Sequence, residues 1–141
     1  MGDEAAFAGA KLALFLGEDL AVILRDEKPG LPFAGYWDLP GGGREGAETP
    51  LECALRECHE ELGLTVPSAS VTWRRAFREE GQIKWFFAAH LPAEAAGRVV
   101  FGDEGQSWDL MDVDTFLSHP KAVPQFQQRL RSYLKERKPP P

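Results

Sequence analysis

Long apolar runs are missing from this sequence. No stretch approaches the ~20 consecutive apolar residues that a helix needs to cross a bilayer, so we expect no membrane-spanning segment and no membrane partner. Residues 1–17 carry acids where a secretory signal would carry cations, so no export signal is expected either. Together these two observations favour a cytoplasmic location.

Positive charge is also scarce. Lys and Arg together number 16 against 22 Asp and Glu, which gives a formal net charge of −6. A protein that holds duplex nucleic acid normally shows a basic excess or patch, so an extended nucleic-acid partner is not expected. A small phosphorylated substrate is compatible with the acidic balance if a metal ion screens its charge.

Cysteine is nearly absent, with only Cys53 and Cys58 in the sequence. Both fall on one predicted helix, where five residues rise about 7.5 Å, beyond the ~7 Å reach of a disulfide. Neither has a Cys or His partner at zinc-ligand spacing. We therefore expect two small, unpaired, buried thiols in a reducing compartment.

The order of strand and helix patterns predicts one α/β domain over residues 1–141, with flexible tails at 1–9 and 137–141. Apolar runs between residues 11 and 25 predict a strand pair. "SVTWRRAFRE" and "QIKWFFAAHL" predict a second pair joined by a hairpin turn. Thr49-Pro50 begins an amphipathic helix that Gly63 ends, and "VPQFQQRLRSYLKERK" predicts a terminal helix.

The helix that begins at Thr49 concentrates acidic residues. Glu57, Glu60 and Glu61 fall within an arc of about 100°, roughly opposite its apolar stripe. The simplest interpretation is a solvated face, although like charges at this spacing repel. The glycine-rich loop just upstream, however, brings backbone carbonyls to the same site. Carboxylate and carbonyl oxygens together suit a hard cation such as Mg²⁺ or Mn²⁺.

Residues 42–64 also match a longer pattern at every fixed identity. The pattern is G-x5-E-x7-R-E-U-x-E-E-x-G-U, with U aliphatic, and this chain supplies Gly42, Glu48, Arg56, Glu57, Glu60, Glu61, Gly63 and Leu64 in register. The stretch resembles the Nudix box, with Cys58 at the first U as the one departure. The nearby "LPGG" and "FGDEGQSW" also resemble this family.

The resemblance implies a Nudix hydrolase with an α/β/α sandwich and a mixed sheet, which cleaves a nucleoside diphosphate linked to another group. The implied catalytic residues are Arg56, Glu57, Glu60, Glu61 and Glu104. The implied ligands of Mg²⁺ or Mn²⁺ are Gly42, Glu57, Glu60, Glu61 and Glu104. By the same resemblance, Arg56 holds a glutamate in place and Glu48 supports the cluster from the loop. Glu104 enters because "EGQ" is similar to an acidic loop of MutT-like enzymes.

Fewer patterns bear on the substrate. Trp37 offers an aromatic face to a base, although core packing is the commoner role of such a residue. Arg25 can reach a phosphate from the end of a strand, with an ordinary surface arginine as the alternative. Gly41, next to the box, is the third candidate for substrate binding. Val123 aligns approximately with a base-reading Asn of MutT-like enzymes and offers no hydrogen bond, so no large preference for 8-oxo-dGTP over dGTP is expected.

Two functions fit these residues. One is an active, metal-dependent nucleotide pyrophosphohydrolase, and the other is an inactive Nudix-fold module that senses or binds a nucleotide. An inactive module would usually have lost a box glutamate, and all are present here, which favours the enzyme. Under either function the partner is a small nucleotide-like molecule, and the protein is a monomer or a homodimer.

Overall fold

A seven-stranded mixed sheet organises residues 6–137, which are the residues that the computed structural model describes. Its strands are β1 (Phe7–Leu16), β2 (Asp19–Leu24), β3 (Trp37–Asp38), β4 (Gly41–Gly43), β5 (Val71–Glu79), β6 (Gln82–Leu91) and β7 (Ser107–Met111). The helices are α1 (Pro50–Leu62), α2 (Val113–Ser118) and α3 (Pro124–Glu136), and short 3-10 helices cover Ser68–Ser70 and Ala93–Arg98. This architecture confirms the predicted α/β fold class.

Strand β1 lies at the centre of the sheet. It runs parallel to β6 and antiparallel to both β2 and β4, and the main strand order is β3-β2-β1-β6-β5. β7 pairs with β2, and the predicted hairpin is confirmed as β5 and β6. Because β4 pairs with residues 9–11 of β1, the glycine-rich segment is fixed to the most buried strand of the sheet.

The two faces of the sheet carry separate hydrophobic clusters. Successive side chains of a strand point to opposite faces. Leu12 and Leu14 of β1 accordingly pack in the cluster that includes the buried side of α1, whereas Ala13 and Phe15 pack in the cluster that includes α2 and α3. Helix α1 therefore covers one face of the sheet, and α2 and α3 cover the other. The side of α1 that carries Glu57 faces β4.

Helix α1 begins and ends where the sequence predicts. Thr49 caps its N-terminus by accepting a hydrogen bond from the amide of Glu52, and the Glu52 side chain accepts one from the amide of Thr49. Pro50 occupies the first turn, and Gly63 ends the helix in the left-handed conformation with φ of 68°. These caps fix which residues of α1 face β4.

The N-terminal tail predicted over residues 1–9 is too long, because β1 already begins at Phe7. Residues 1–5 and 138–141 lie outside the described residues, and so does most of the predicted C-terminal tail. Cys53 and Cys58 are buried and unpaired, as predicted, and burial raises the pKa of each thiol to about 12. Across residues 6–137, none of the helices has the length and apolar character needed to cross a membrane.

Candidate functional site

Glycines let β4 approach β1 and α1 closely. A Cβ atom on Gly41 would lie 2.3 Å from the backbone oxygen of Ala10, and the φ of Gly41 is +132°, which side chains rarely tolerate. A Cβ atom on Gly42 would lie 2.7 Å from the carboxylate carbon of Glu57. The glycine at position 42 therefore leaves room for a carboxylate directly beside the loop backbone.

Arg56 lies inside the acidic cluster, which comprises Glu48, Glu57, Glu60 and Glu61. It binds the first three of these glutamates. Its Nε and Nη2 atoms donate to the two carboxylate oxygens of Glu48 at 3.0 and 2.8 Å. Its Nη1 atom lies 3.1 Å from an oxygen of Glu57 and 3.1 Å from an oxygen of Glu60. The hydrogen bonds from Arg56 hold the pKa of Glu48 at about 2. Arg56 thus offsets the repulsion that the sequence analysis noted.

Glu61 is the most enclosed carboxylate of the cluster. Its Oε1 atom accepts a hydrogen bond of 2.8 Å from the backbone amide of Gly41. Burial raises the pKa of Glu61 to about 7, although the nearby charge of Lys11 and the Gly41 amide act in the opposite direction. Burial also raises the pKa of Glu57. Additional positive charge next to these two groups would favour their ionised forms.

The loop after the second 3-10 helix completes the acidic site. The amide of Gly102 donates to the backbone oxygen of Glu61 at 2.9 Å, and a Cβ atom on Gly102 would lie 2.4 Å from the backbone oxygen of Glu60. This close approach brings Glu104 to the end of α1. A cavity of about 250 Å³ is lined there by Glu45, Glu57, Glu60, Glu61, Asp103 and Glu104.

The carboxylate oxygens that line this cavity are the ligand type that a hard cation prefers, but they do not converge on a single point. Within residues 6–137, no three His, Cys, Asp or Glu side chains form a group that could hold a metal ion. Arg56 engages oxygens of Glu57 and Glu60, and Gly41 engages an oxygen of Glu61. Binding of Mg²⁺ or Mn²⁺ would therefore require rotation of these glutamate side chains.

Two larger cavities adjoin the acidic site. The first, of about 460 Å³, is lined by Lys11, Arg25, Asp38, Glu57, Glu61 and Glu104, among others. The second, of about 400 Å³, shares Lys11, Arg25, Gly42 and Gly43 with the first. Its farther wall includes Phe33, Trp85, Gln125, Phe126 and Arg129. Lys11 and Arg25 therefore stand between a carboxylate-rich space and an aromatic one.

The predicted substrate-binding residues separate into two groups. Arg25 lines both larger cavities, and Gly41 lines the first. Trp37 packs instead against the hydrophobic cluster of α2 and α3, and its backbone oxygen accepts a hydrogen bond from the amide of Val123. This placement matches the core role that the sequence analysis gave as the commoner alternative for Trp37. Val123 is fully buried, whereas Gln125 faces the second cavity.

Sequence reasoning missed two ion networks at these cavities. Asp38, which is 9% exposed, accepts hydrogen bonds from Lys11 at 3.1 Å and from Arg25 at 2.9 Å. Arg129, which is 6% exposed, donates to Glu79 at 2.7 Å. For the first network the available signal was Lys11, a lone cation inside the apolar pattern of β1, because a charged residue is rarely buried without a partner.

The NUDIX domain family model matches residues 8–134 of the chain. This chain belongs to the Nudix family. The match extends well beyond the box on both sides, so it confirms the family to which the motif pointed.

Two relatives share part of the Nudix chain's sequence. Octanoyltransferase of Myxococcus xanthus is 32% identical over 112 residues, which cover 72% of this chain and 29% of that protein. The 8-oxo-dGTP diphosphatase of Proteus vulgaris is 43% identical over 37 residues, which cover 26% of this chain and 33% of that protein. The chain thus spans about a third or less of the length of these relatives.

Two solved structures share the fold. The bifunctional NMN adenylyltransferase/ADP ribose pyrophosphatase of Francisella tularensis, in complex with AMP and a manganese ion, has a TM-score of 0.78 at 14% identity. The alignment covers 96% of this chain and 43% of that one. The MutT protein of Methanosarcina mazei Go1 has a TM-score of 0.74 at 20% identity and covers 99% of both chains. At these identities the likeness establishes the Nudix fold alone.

Proposed function

We propose that this protein is a metal-dependent hydrolase that cleaves the diphosphate linkage of a nucleoside diphosphate joined to another group. The observation that carries the proposal is the convergence of the box glutamates, Gly42 and the distant Glu104 on adjoining cavities. A solvated acidic helix face does not explain why Glu104, more than forty positions downstream, lies beside the same glutamates. Arg25, at the edge of the same space, supplies positive charge for a phosphate.

Glu57, Glu60, Glu61 and Glu104, together with the carbonyl oxygen of Gly42, would hold Mg²⁺ or Mn²⁺. Bound there, the cation would neutralise diphosphate oxygens and lower the pKa of a coordinated water. Arg56 keeps Glu57 and Glu60 on the cavity side of α1, and Glu48 holds Arg56 through both of its oxygens. The manganese in the Francisella structure, which has the same fold, is in keeping with this choice of metal.

A carboxylate has to accept the proton of the attacking water, and Glu57 and Glu104 are the two candidates. Burial raises the pKa of Glu57, which makes it a stronger base than an ordinary glutamate once it is ionised. Glu104 is exposed and is followed by Gly105, whose φ is +92°, so its loop can present the carboxylate to a bound substrate.

The aromatic second cavity would take the group attached to the diphosphate. Its volume of about 400 Å³ is within the range of small-molecule sites, and the half-buried Phe33 offers an aromatic face for a flat ring. The two cavities share Arg25, so a molecule that spans them would place its phosphates between the carboxylates and the aromatic wall. A small nucleotide-like substrate has this form. We also propose a cytoplasmic location, with which two buried, unpaired thiols are compatible.

Incubation with a panel of nucleotides tests the proposed function. The panel contains dinucleoside polyphosphates, ADP-ribose, nucleotide sugars and nucleoside triphosphates. Each is incubated with MgCl₂ or with EDTA at about 5 mM, which is ample for a metal site of millimolar affinity. The products are separated by chromatography. We expect magnesium-dependent cleavage between two phosphates of at least one class. Binding of a nucleotide without turnover in any class would favour the inactive sensing module instead.

Within that panel we expect no large preference for 8-oxo-dGTP over dGTP. The buried Val123 offers no hydrogen bond to a base, so the discrimination expected at that position is absent. The two values of kcat/KM are measured side by side. A preference above roughly a thousandfold, about 4 kcal/mol, would contradict this prediction and point to Gln125, which faces the second cavity, as the residue that reads the base.

We expect Glu104→Gln to lower kcat at least about tenfold at saturating Mg²⁺, because the change removes a charge that a proton or a cation would use. Steady-state kinetics measures this effect. Asp103 lines the same acidic cavity and is therefore unsuitable as a neutral control, whereas Asp109→Asn on the exposed side of β7 is suitable. Equal, full activity of the two variants would show that Glu104 is only a surface acid.

A further inference from the structure

Lys11 occupies an unusual place for a lysine. It lies in the middle of β1, between residues that are almost completely buried, and its own side chain is 16% exposed. An ammonium group in such surroundings loses hydration and is destabilising unless its charge and donors are satisfied. The contacts of Lys11 therefore indicate what the residue does.

All three donors of the Lys11 ammonium group have acceptors within the chain. The Nζ atom lies 3.1 Å from a carboxylate oxygen of Asp38, 3.1 Å from the backbone oxygen of Leu39 and 3.0 Å from the backbone oxygen of Gly41. A lysine has three N–H groups, so these bonds use its donor capacity. Lys11 therefore binds the segment that leads into β4 and has no donor left for a phosphate oxygen.

Gly41 connects Lys11 to the acidic site. Its carbonyl accepts from Lys11, and its amide donates to the Oε1 atom of Glu61 at 2.8 Å. Both backbone groups of one residue are thus engaged, one by a buried cation and the other by a proposed metal ligand. A shift of Gly41 would move the donor that orients the Glu61 carboxylate, and it would also move the adjoining carbonyl of Gly42.

We propose that Lys11 is a positioning residue, which fixes Gly41 and through it the carboxylate of Glu61 and the Gly42 carbonyl for metal binding. This inference rests on the proposed function. Asp38 completes the arrangement: it is the counter-ion of Lys11, and its other oxygen accepts from the amide of Leu39 at 2.7 Å. Outer partners of this kind typically change metal affinity or activity by about 10- to 100-fold when they are removed.

The test compares Lys11→Met and Lys11→Arg with the wild-type protein. The affinity for Mn²⁺ is measured without substrate, from the electron paramagnetic resonance signal of the free ion. We expect Lys11→Met to weaken Mn²⁺ binding about tenfold or more and to lower kcat, with KM at saturating metal within about threefold of wild type. Lys11→Arg retains the charge but not the compact geometry, and should recover part of the affinity.

Lys135→Met, in the exposed last turn of α3, is the matched control and should leave Mn²⁺ affinity unchanged. Circular dichroism establishes that each variant is folded, and Asp38→Asn replaces Lys11→Met if the latter does not fold, with the same loss expected. Wild-type Mn²⁺ affinity in a folded variant would overturn the inference, and so would a rise in KM alone, which indicates direct contact with substrate. Failure of the wild-type protein to bind Mn²⁺ would instead contradict the proposed function.

Discussion

Glu61→Gln should lower kcat by at least about a hundredfold and leave the fold intact. The substitution keeps the size of the side chain and one oxygen that can accept the hydrogen bond from the amide of Gly41. It removes the negative charge and one of the two oxygen ligands, on which the binding of a divalent cation depends steeply. The comparison requires kcat at saturating metal and substrate together with a thermal unfolding curve.

Glu52→Gln is the matched control for this experiment. Glu52 lies on the same helix, but its side chain accepts a hydrogen bond from the amide of Thr49 at the N-terminus, and a glutamine can do the same. We expect it to change neither kcat nor the unfolding temperature appreciably. Near-normal turnover of the Glu61 variant would exclude that carboxylate from the reaction and contradict the arrangement proposed here.

The sequence was sufficient to predict the framework of the site because that framework is local. Three of the box glutamates lie on one helix, so the spacing of Glu57, Glu60 and Glu61 follows from helical geometry, and Thr49 and Gly63 mark the ends of that helix. The two strand pairs were predictable for the same reason, since each is formed by neighbours in the chain.

Contacts between distant segments could not be predicted in this way. Lys11 and Gly41 meet because β4 pairs with β1, and Asp38 joins them from β3, which pairs with β2. Nothing in the separate segments specifies these pairings. The apolar pattern around Lys11 was a signal for a buried cation that the sequence reasoning missed, and it does not specify the partners of that cation. Trp37 showed a different difficulty, because an aromatic residue near a motif is compatible both with stacking on a ligand and with packing in a core, the commoner role.

The motif identifies Arg56, but the role of this residue depends on contacts that only the folded structure shows. The sequence places it at the edge of the glutamates, whereas the structure surrounds it with Glu48, Glu57 and Glu60. One guanidinium therefore substitutes for part of the positive charge that a metal would bring. Arg56 thereby reduces the repulsion between Glu57 and Glu60, which are neighbouring carboxylates on α1.

Gly42→Ala should lower kcat about fiftyfold with little loss of stability. The added methyl group would lie 2.7 to 2.9 Å from the carboxylate atoms of Glu57, which form the flexible end of a side chain and can move aside. The carbonyl of residue 42 is retained, so the variant isolates the displacement of Glu57, and a misplacement of about 1 Å in a reacting group can cost a hundredfold in rate.

The matched control is Gly97→Ala, in the second 3-10 helix, because a methyl group there would meet no atom within 4 Å. We expect its kcat to equal that of the wild type, while both variants unfold within a few degrees of it. Kinetics and thermal unfolding on the same samples separate the two effects. Full activity of Gly42→Ala would show that the position of Glu57 does not limit the reaction, whereas joint loss of activity and stability would show that residue 42 acts through the fold.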